Sequence, residues 1–391
     1  MKKAKILTFS GYYLPGYKGG GPVRTIENMV TQLEDDIEFW IITRDRDLGD
    51  TAPYPFIESN KWQKVGAAHV YYLSPNSMNL KNIAELLKGT CHDIVYLNSF
   101  FDTTFTIFVL LARFFFKSSL KPIVLAPRGE FSKAALSIKK TKKNIYLSFF
   151  KIILSKKIRI LLQASSEYEF NDIKNALKTS DASIRIAKDL PRKENQSRDF
   201  FLSSRLAETE SLRVIFLSRI SPMKNLDFAI QVLKEVKSKV FFDIYGPKED
   251  LSYWARCETL ITQLPNNIVT NYCGSIPPEQ VKEKFSRYDL FLFPTRGENY
   301  GHVIAESISA GTPVLLSDRT PWRDLEELGA GWVLPLDSHI IFSQKIDALA
   351  ELSLEQRQEK RSKILQSSEK NLCDPDSIQQ NRELFLSLVR A

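Results

Sequence analysis

Short apolar runs alternate with longer segments of helical periodicity along the whole chain. This alternation is typical of parallel sheets whose two faces are covered by helices. It predicts strands at 5–9, 38–43, 69–73, 94–97, 122–126, 158–163, 212–218, 240–245, 268–272, 290–293 and 313–316. It predicts helices at 25–33, 80–88, 104–116, 225–237, 251–264, 278–285, 302–309, 340–351 and 377–389. The fold class is therefore expected to be α/β.

The polar, weakly periodic segment 191–210 separates two halves that each repeat this alternation. A chain of 391 residues is also too long for one ordinary core. We therefore predict a Rossmann-like domain over 1–190, a linker over 191–210 and a second doubly wound domain over 211–372. The segment 373–391 is predicted to cross back to the first domain as a helix. Such sheets bind ligands at the carboxyl ends of their strands, so we expect the active site in a cleft between the domains.

The composition fits a globular protein, with 43% apolar and 26% charged residues. The four cysteines are far apart and form no CxxC pair, which disfavours a zinc site or a disulfide framework and fits a reducing compartment. The longest apolar stretch, 105–116, contains Arg113 and is too short to span a bilayer. We therefore expect a cytoplasmic protein, with peripheral attachment to the inner face of the cell membrane as a second possibility.

The net charge of +8 is concentrated in one stretch, because no acidic residue lies between Glu130 and Glu167. The basic residues of this stretch are Lys133, Lys139, Lys140, Lys142, Lys143, Lys151, Lys156, Lys157 and Arg159. Interleaved with apolar residues, the segment 133–159 has the pattern of a surface that binds an anionic membrane. The same pattern fits an amphipathic helix that packs on a sheet and keeps its lysines in water. Nucleic-acid binding is not expected, since no motif supports it.

The segment 290–316 combines a buried strand, a glycine-containing loop and a helix that opens near Gly301. Gly301 would let a phosphate approach the backbone, and the amides of Gly301 and His302 would point toward an anion. Glu298 lies in the loop. Glu306 lies in the second helical turn, where its carboxylate suits the hydroxyls of a ribose. Gly311 suits the left-handed position that ends the helix.

This segment resembles the E-x7-E region of retaining glycosyltransferase family 4. The stretches TRDRDLGD (43–50), LAPRGEFSKAAL (125–136) and SDRTPWRDL (317–325) also resemble a bacterial, polysaccharide-type subgroup of that family. The resemblance covers nearly the whole chain. It implies the GT-B fold, in which two Rossmann-like domains face each other across a cleft.

By this resemblance Glu306 would hold the donor ribose, and Glu298 would face the sugar ring and its hydroxyls. The residues expected to line the donor phosphates are Asn299, Tyr300 and Gly301, with His302 completing the donor-binding loop. The donor would be a nucleoside diphosphate sugar.

Arg219 follows the strand predicted at 212–218, and Lys224 comes five residues later at a predicted helix start. Two cations at the carboxyl end of a strand can neutralise a diphosphate. Arginine does so through two parallel hydrogen bonds, and lysine as a point charge. Alone, the pair fits a plain surface arginine and lysine at least as well. The resemblance favours diphosphate binding, because family members place donor-phosphate-binding Arg and Lys in the matching segment. We assign catalytic roles to Glu298, Arg219 and Lys224.

The glycine-rich loop 16–21 follows the first strand. Its glycines could form a backbone nest for an anion or a flexible turn, and they do not match the GxGxxG dinucleotide fingerprint. In the family the matching loop closes over the donor phosphates and the acceptor, and Gly19 and Gly20 are the residues assigned to it here. The resemblance also places Gly274 and Ser275 against the nucleobase, mainly through their backbone.

The acceptor side is represented by Asn98 and Arg128. Arg128 follows the strand 122–126 and is either a cleft residue that contacts acceptor or phosphate, or a turn arginine paired on the surface. Many family members carry a histidine after the strand that ends here at Leu97, whereas this chain has Asn98, Ser99 and Phe100. No catalytic base is identified. In a retaining front-face mechanism, the leaving phosphate can itself accept the proton, while the protein supplies placement and charge stabilisation.

The tripeptide Asp45-Arg46-Asp47 has the DxD spacing that binds a divalent metal in the other main glycosyltransferase fold. A DxD arising by chance is common, and Arg219 and Lys224 make a metal unnecessary. We therefore predict no metal and no other cofactor.

The sequence as a whole predicts a hexosyl- or N-acetylhexosaminyltransferase. It would move a sugar, with retention, from a nucleoside diphosphate sugar to a glycan or lipid-linked acceptor in cell-surface polysaccharide synthesis. Uridine diphosphate sugars are mildly preferred, on family frequency. One alternative is a catalytically idle GT-B binding or scaffold protein, which the missing histidine motivates. Another is a nucleotide-sugar epimerase on the same fold.

Overall fold

A computed structural model describes residues 3–117, 119–132, 135–136, 140–151, 160–192, 211–372 and 375–390. The chain forms two compact units. Unit 1 comprises residues 1–193 and 375–391, and unit 2 comprises residues 194–374.

Unit 1 contains an eight-stranded sheet with helices on both faces. Its strands are β1 (Ala4–Ser10), β2 (Ile37–Arg44), β3 (Trp62–Val65), β4 (Ala68–Leu73), β5 (Ile94–Asn98), β6 (Ile123–Ala126), β7 (Ile160–Ala164) and β8 (Ile184–Ile186). Its helices are α1 (Gly21–Leu33), α2 (Leu80–Gly89), α3 (Phe108–Phe116), α4 (Lys140–Phe149) and α5 (Glu167–Leu177).

The strand order in unit 1 is β3-β4-β2-β1-β5-β6-β7-β8, and only β3 runs antiparallel to its neighbour. β5 and β6 are buried along their whole length, which explains why they appear in the sequence as unbroken apolar runs. The order of the strands reverses between β1 and β5. The loops that follow these two strands therefore diverge and leave room for a site.

The C-terminal helix α12 (Pro375–Arg390) belongs to unit 1. The Phe385 ring packs edge-on against Tyr96 and Phe39, with centroid distances of 5.3 and 6.2 Å. Arg382 forms a 2.6 Å ion pair with Asp36. The apolar face of this helix thus covers one face of the unit 1 sheet.

Unit 2 contains a six-stranded, wholly parallel sheet. Its strands are β9 (Leu212–Leu217), β10 (Val240–Tyr245), β11 (Ile268–Tyr272), β12 (Leu290–Phe293), β13 (Val314–Ser317) and β14 (Gly331–Leu334). Its helices are α6 (Leu226–Lys234), α7 (Leu251–Ile261), α8 (Pro278–Phe285), α9 (His302–Ser309), α10 (His339–Ala350) and α11 (Leu354–Leu372). The order is β11-β10-β9-β12-β13-β14, so the order of the strands reverses between β9 and β12.

The predicted α/β class with parallel sheets is confirmed, and the predicted strands appear with shifts of one or two residues at their ends. The prediction missed β3, β8 and β14, which are edge strands of three or four residues and contain at most three consecutive apolar residues each. It also missed the helices α5 and α11, in which few apolar residues are buried among many polar ones. The buried apolar residues are Ile173 and Leu177 in α5 and include Ile364 and Leu365 in α11. Residues 158–159 of a predicted strand and 193–210 of the predicted linker lie outside the described residues.

Within the described part of the chain, no helix is both long enough and apolar enough to cross a membrane.

Candidate functional site

The carboxyl ends of the unit 2 strands gather the residues that the sequence singled out. Because all six strands are parallel, the loops that follow them emerge at the same edge of the sheet. Arg219 and Lys224 follow β9, and Glu298 follows β12. These two strands are neighbours at the point where the strand order reverses, which is where doubly wound sheets bind ligands.

Lys224 and Glu298 form a close ion pair between these two loops. Each side chain is only 12% exposed, and the ammonium lies 5.8 Å from the centroid of the Phe293 ring. The sequence predicted a phosphate-binding lysine and a sugar-facing glutamate separately. It did not predict that the two would neutralise each other.

The two loops are held together by further hydrogen bonds. Asn225 adopts a left-handed conformation before α6 and is buried. Its side-chain amide donates to the Pro294 carbonyl at 2.8 Å, and its side-chain oxygen accepts from Arg296 Nε at 2.9 Å. The Thr295 hydroxyl donates to the Met223 carbonyl at 3.1 Å. These contacts explain why Lys224 comes to lie beside Glu298.

Arg219 is paired with Glu249, which follows β10. Arg219 Nη1 donates to Glu249 Oε1 at 2.7 Å, and both side chains are about one-third exposed. The loops meet because Gly246 has φ +137°, where an added Cβ would lie 1.8 Å from the Ser218 carbonyl oxygen. Only glycine permits this approach. Glu249 was not predicted from the sequence, and Gly246, the glycine directly after β10, is the signal that could have drawn attention to its loop.

Helix α9 begins where the sequence predicted. The N-cap residue before it, Gly301, has φ +83°, and a Cβ there would lie 2.7 Å from Ile304 Cδ1. The N-terminus of α9 carries the positive end of the helix dipole. Glu306 is half-buried in the second turn. The predicted left-handed glycine after the helix is also present, since Gly311 has φ +78°.

The remaining donor-side residues lie in the same group of loops. Asn299 and Tyr300 are half-buried, and His302 is buried with its ring centroid 4.8 Å from that of Tyr300. Gly274 has φ +76°, and its carbonyl accepts the Gly246 amide at 2.8 Å. Ser275 is exposed. Their roles toward a nucleotide stay predictions.

In unit 1, the glycine-rich loop is tightly packed rather than open. Gly20 has φ +73° and precedes α1. A Cβ on Gly19 would lie 3.0 Å from both Tyr12 and Val23. The Asp47 carboxylate accepts the amides of Tyr17 and Lys18 in this loop at 2.8 and 3.0 Å.

Asp45, the other carboxylate of the DxD tripeptide, is buried. It accepts Arg46 Nε at 2.8 Å and the Ser59 hydroxyl at 2.9 Å. Asp45 and Asp47 thus serve different local contacts. Among the described residues, no group of His, Cys, Asp or Glu is arranged to hold a metal ion.

Arg128 lies in a buried network next to the carboxyl end of β5. Its guanidinium donates to the carboxylate of Asp189, to the Tyr96 hydroxyl and, at 2.6 Å, to Asn98 Oδ1. The Arg128 and Asp189 side chains are 6% and 3% exposed. The expectation that a paired Arg128 would lie on the surface is therefore wrong, because the ion pair is inside the unit. Contact of Arg128 or Asn98 with an acceptor stays a prediction.

In the segment after β5, where many family members carry a histidine and this chain does not, the Glu130 carboxylate holds the backbone. Its carboxylate accepts the Ser99 hydroxyl at 2.9 Å and the amides of Phe100 and Phe101 at 2.5 and 3.2 Å. Burial raises the pKa of Glu130, although these hydrogen bonds act in the opposite direction. Ser99 has φ +138°. Glu130 was not predicted from the sequence, because it lies in the stretch 125–136 without a spacing pattern that would single it out.

The basic stretch is only partly described. Its residues Lys133, Lys139, Lys156, Lys157 and Arg159 lie outside the described residues. In α4, Lys142 is exposed, whereas Lys143 donates to the Ala135 carbonyl at 2.7 Å. Leu147 is buried and Ile145 is 67% exposed. This part has the character of an amphipathic helix, and membrane binding stays a prediction.

Comparison with known proteins finds similarity to glycosyltransferases. Residues 197–370 match the family model of glycosyl transferases group 1. The chain is 26% identical over 246 residues to an uncharacterised protein of the Klebsiella pneumoniae cps region, covering 60% of this chain and 63% of that protein. It is 29% identical over 127 residues to a sulfoquinovosyl transferase of Arabidopsis thaliana, covering 32% of this chain and 22% of the relative. The chain thus spans less than two thirds of these relatives.

Solved structures show that the whole chain has the GT-B fold. A crystal structure of Anabaena HepE in complex with UDP-glucose aligns over 98% of this chain and 99% of its own, with a TM-score of 0.70 and 15% identity. A sucrose-phosphate synthase of Thermosynechococcus elongatus aligns over 99% of this chain and 100% of its own, with a TM-score of 0.71 and 13% identity. The expected GT-B fold is therefore confirmed.

Proposed function

We propose that this protein is a retaining glycosyltransferase of family 4. It transfers a hexosyl or N-acetylhexosaminyl group from a nucleoside diphosphate sugar to a glycan or lipid-linked acceptor in cell-surface polysaccharide synthesis. The observation that carries the proposal is the Lys224–Glu298 pair at the strand-order reversal of unit 2. It lies inside the segment 197–370 that matches the glycosyl transferase model.

The proposed roles follow from charge and position. Arg219 and Lys224 bind the diphosphate, exchanging their carboxylate partners for phosphate oxygens. Each charge-assisted hydrogen bond contributes about 1.5–3 kcal/mol. Glu298, released from Lys224, accepts hydrogen bonds from hydroxyls of the transferred sugar. Glu306 binds the ribose.

The negative charge that develops on the leaving diphosphate is stabilised by the protein alone. Arg219, Lys224 and the N-terminus of α9 supply positive charge at the strand ends, so the proposal requires no metal. The acceptor proton passes to the leaving phosphate, and the protein contributes by placing the two reactants. Retention of the anomeric configuration follows from this front-face geometry.

The nucleoside of the donor is proposed to be uridine. HepE, which shares the fold, binds UDP and UDP-glucose. The cps-region relative supports a role in surface polysaccharide, whereas a Streptococcus pneumoniae α-galactosylglucosyldiacylglycerol synthase, 24% identical over 110 residues and covering 28% of that relative, supports a lipid-linked acceptor. We further propose that the protein works at the inner face of the cell membrane, where such acceptors are exposed.

A screen of nucleotide sugars by thermal unfolding tests the donor. A ligand at 100 times its Kd raises the free energy of unfolding by about 2.7 kcal/mol. The hit is then incubated with candidate acceptors, and the anomeric configuration of the product is read by NMR. An α-configured donor should give an α-linked product.

Other outcomes discriminate between the alternatives. Binding without transfer to any acceptor points to a scaffold protein. Conversion of the donor itself, with no acceptor present, points to an epimerase. An inverted product overturns retention while leaving glycosyl transfer intact.

A further inference from the structure

The loop after β13 has no role in the proposal so far, although its sequence SDRTPWRDL (317–325) carried part of the family resemblance. In the structure it touches the donor loop 298–301 at both ends. The Glu298 amide donates to the Arg319 carbonyl at 3.1 Å, and Trp322 Nε1 donates to the Tyr300 carbonyl at 2.5 Å. The loop after β13 therefore braces the segment that carries the candidate sugar- and phosphate-binding groups.

The loop after β13 is itself held in place by hydrogen bonds. The Ser317 hydroxyl donates to the Thr295 carbonyl, and the Arg319 amide donates to the Ser317 hydroxyl at 3.3 Å. The Trp322 amide donates to the hydroxyl of Thr320 at 3.3 Å, and Ser317 and Thr320 are both buried. Trp322 thus presents its indole N–H from a fixed support.

Aromatic contacts connect the loop after β13 to the N-terminus of α9. The ring centroids of Trp322 and Tyr300 are 5.6 Å apart, and those of Tyr300 and His302 are 4.8 Å apart. His302 is the first residue of α9 and is buried. The three rings therefore connect the loop after β13 with the start of α9.

The consequence concerns a single peptide group. The Tyr300 carbonyl and the Gly301 amide belong to the same planar peptide and point in opposite directions in its trans form. A hydrogen bond that fixes the carbonyl therefore also fixes the direction of the Gly301 N–H. Gly301 has φ +83° and, as a glycine, has many other conformations available. Without the indole contact, this peptide would have greater freedom to rotate.

We infer that Trp322 is a positioning residue: its indole N–H holds the Tyr300–Gly301 peptide so that the Gly301 amide is oriented toward the donor diphosphate. The inference rests on the proposed function, because it assumes a nucleoside diphosphate ligand. It assigns Trp322 no contact with the donor.

The test compares Trp322→Phe with wild type in binding UDP and uridine, measured by calorimetry. Phenylalanine keeps an aromatic ring and removes the N–H. One hydrogen bond is worth about 0.5–1.5 kcal/mol, so the Kd for UDP should rise about two- to tenfold. The Kd for uridine, which has no phosphate, should not change. The matched control is Trp332→Phe. It removes an indole of β14 that lies against Lys345 of α10 and Lys360 of α11.

A conservative replacement and a measurement on the unaltered protein sharpen the test. Trp322→His retains a ring N–H and should recover part of the UDP affinity. In wild-type protein labelled with 15N, the Trp322 indole resonance should shift on addition of UDP and stay in place with uridine. This measurement decides the question even when Trp322→Phe fails to fold.

Two results would overturn the inference: UDP affinity unchanged in Trp322→Phe, or equal losses for UDP and uridine. The second result would mean that Trp322 only maintains the fold. Failure of the proposed function looks different, because the wild-type protein would then bind neither UDP nor GDP.

Discussion

Each of the two sheets reverses its strand order once, and near each reversal an arginine or lysine meets a carboxylate. In unit 1 the pair is Arg128 with Asp189, and in unit 2 the pairs are Lys224 with Glu298 and Arg219 with Glu249. The residue types and their position after a strand are alike. Their surroundings are not.

Arg128 donates from Nε and from both terminal nitrogens, each to a different side chain. One of its partners, Tyr96, donates in turn to Gln163 at 2.8 Å, and Gln163 donates to the Ala187 carbonyl at 3.0 Å. Burial raises the pKa of Tyr96, so its hydroxyl stays protonated and able to donate. All three nitrogens of the Arg128 guanidinium are therefore engaged in hydrogen bonds inside unit 1.

Arg219 has one described carboxylate partner, Glu249, and both side chains of this pair are about one-third exposed. Lys224 and Glu298 are 12% exposed each, which is more than Arg128 and Asp189 but much less than Arg219 and Glu249. A ligand phosphate can replace Glu249 as the partner of Arg219 without leaving a charge buried and unpaired. For Arg128 and Arg219, the same residue type after a strand therefore has a partner that a ligand can replace in only one of the two places. Burial of the ion pair, rather than residue type, separates Arg128 from Arg219.

The largest effect is expected for Arg128→Met. Removing the cation leaves the Asp189 carboxylate buried without its partner, which costs about 3–5 kcal/mol of unfolding free energy. Urea unfolding measures it. The matched variant Arg219→Met breaks an exposed pair and should cost about 1 kcal/mol or less. Equal losses of unfolding free energy in the two variants would contradict the distinction between the buried Arg128 pair and the partly exposed Arg219 pair.

A double variant isolates the cause of that loss. Replacing both members of a buried ion pair by apolar residues is often close to neutral. Arg128→Met combined with Asp189→Leu should therefore recover part of the stability lost by Arg128→Met alone. The recovery will be incomplete, because Thr25 loses its hydrogen bond to Asp189.

The next largest effect concerns binding. Arg219→Met should raise the Kd of the nucleotide sugar by one to two decades, since a lost charge-assisted bond is worth about 1.5–3 kcal/mol and 1.4 kcal/mol is tenfold. Calorimetry with the donor found in the screen measures it. The control is Arg287→Met, which breaks the exposed i,i+4 pair with Glu283 and should leave binding unaltered. An unchanged affinity in Arg219→Met would remove Arg219 from the site.

Sequence reasoning succeeded where the information is local. Apolar runs located the buried strands, and the loop and helix around Gly301 were recognised from glycine placement and helix signals. The reversal of strand order between β9 and β12 placed Lys224 and Glu298 on neighbouring loops. Periodicity could not predict that they would touch, because 74 residues separate them in the chain.

The missed features share this dependence on distant partners. Glu249, Asp189 and Glu130 are ordinary acidic residues in the sequence, and their functions appear only when Arg219, Arg128 and the backbone after β5 are brought to them by the fold. Whether Arg128 lies at the surface or inside is likewise set by α12 and by residues 187–190, which pack on the same unit. No local pattern near Arg128 carries that information.

The smallest effect is expected for metal removal. In the proposed site the protein supplies its own cations, and in unit 1 the carboxylates Asp45 and Asp47 already bind Arg46, Ser59 and the backbone of the glycine-rich loop. Chelation with EDTA should therefore leave the transfer rate unaltered, measured with the donor and acceptor identified above. Asp45→Asn serves as the control, because it removes a charge from the DxD tripeptide and keeps its shape. The contrary result would be that EDTA abolishes transfer, that Mn²⁺ restores it, and that Asp45→Asn prevents this restoration. A metal bound by Asp45 would then supply the positive charge at the diphosphate, in place of Arg219 and Lys224.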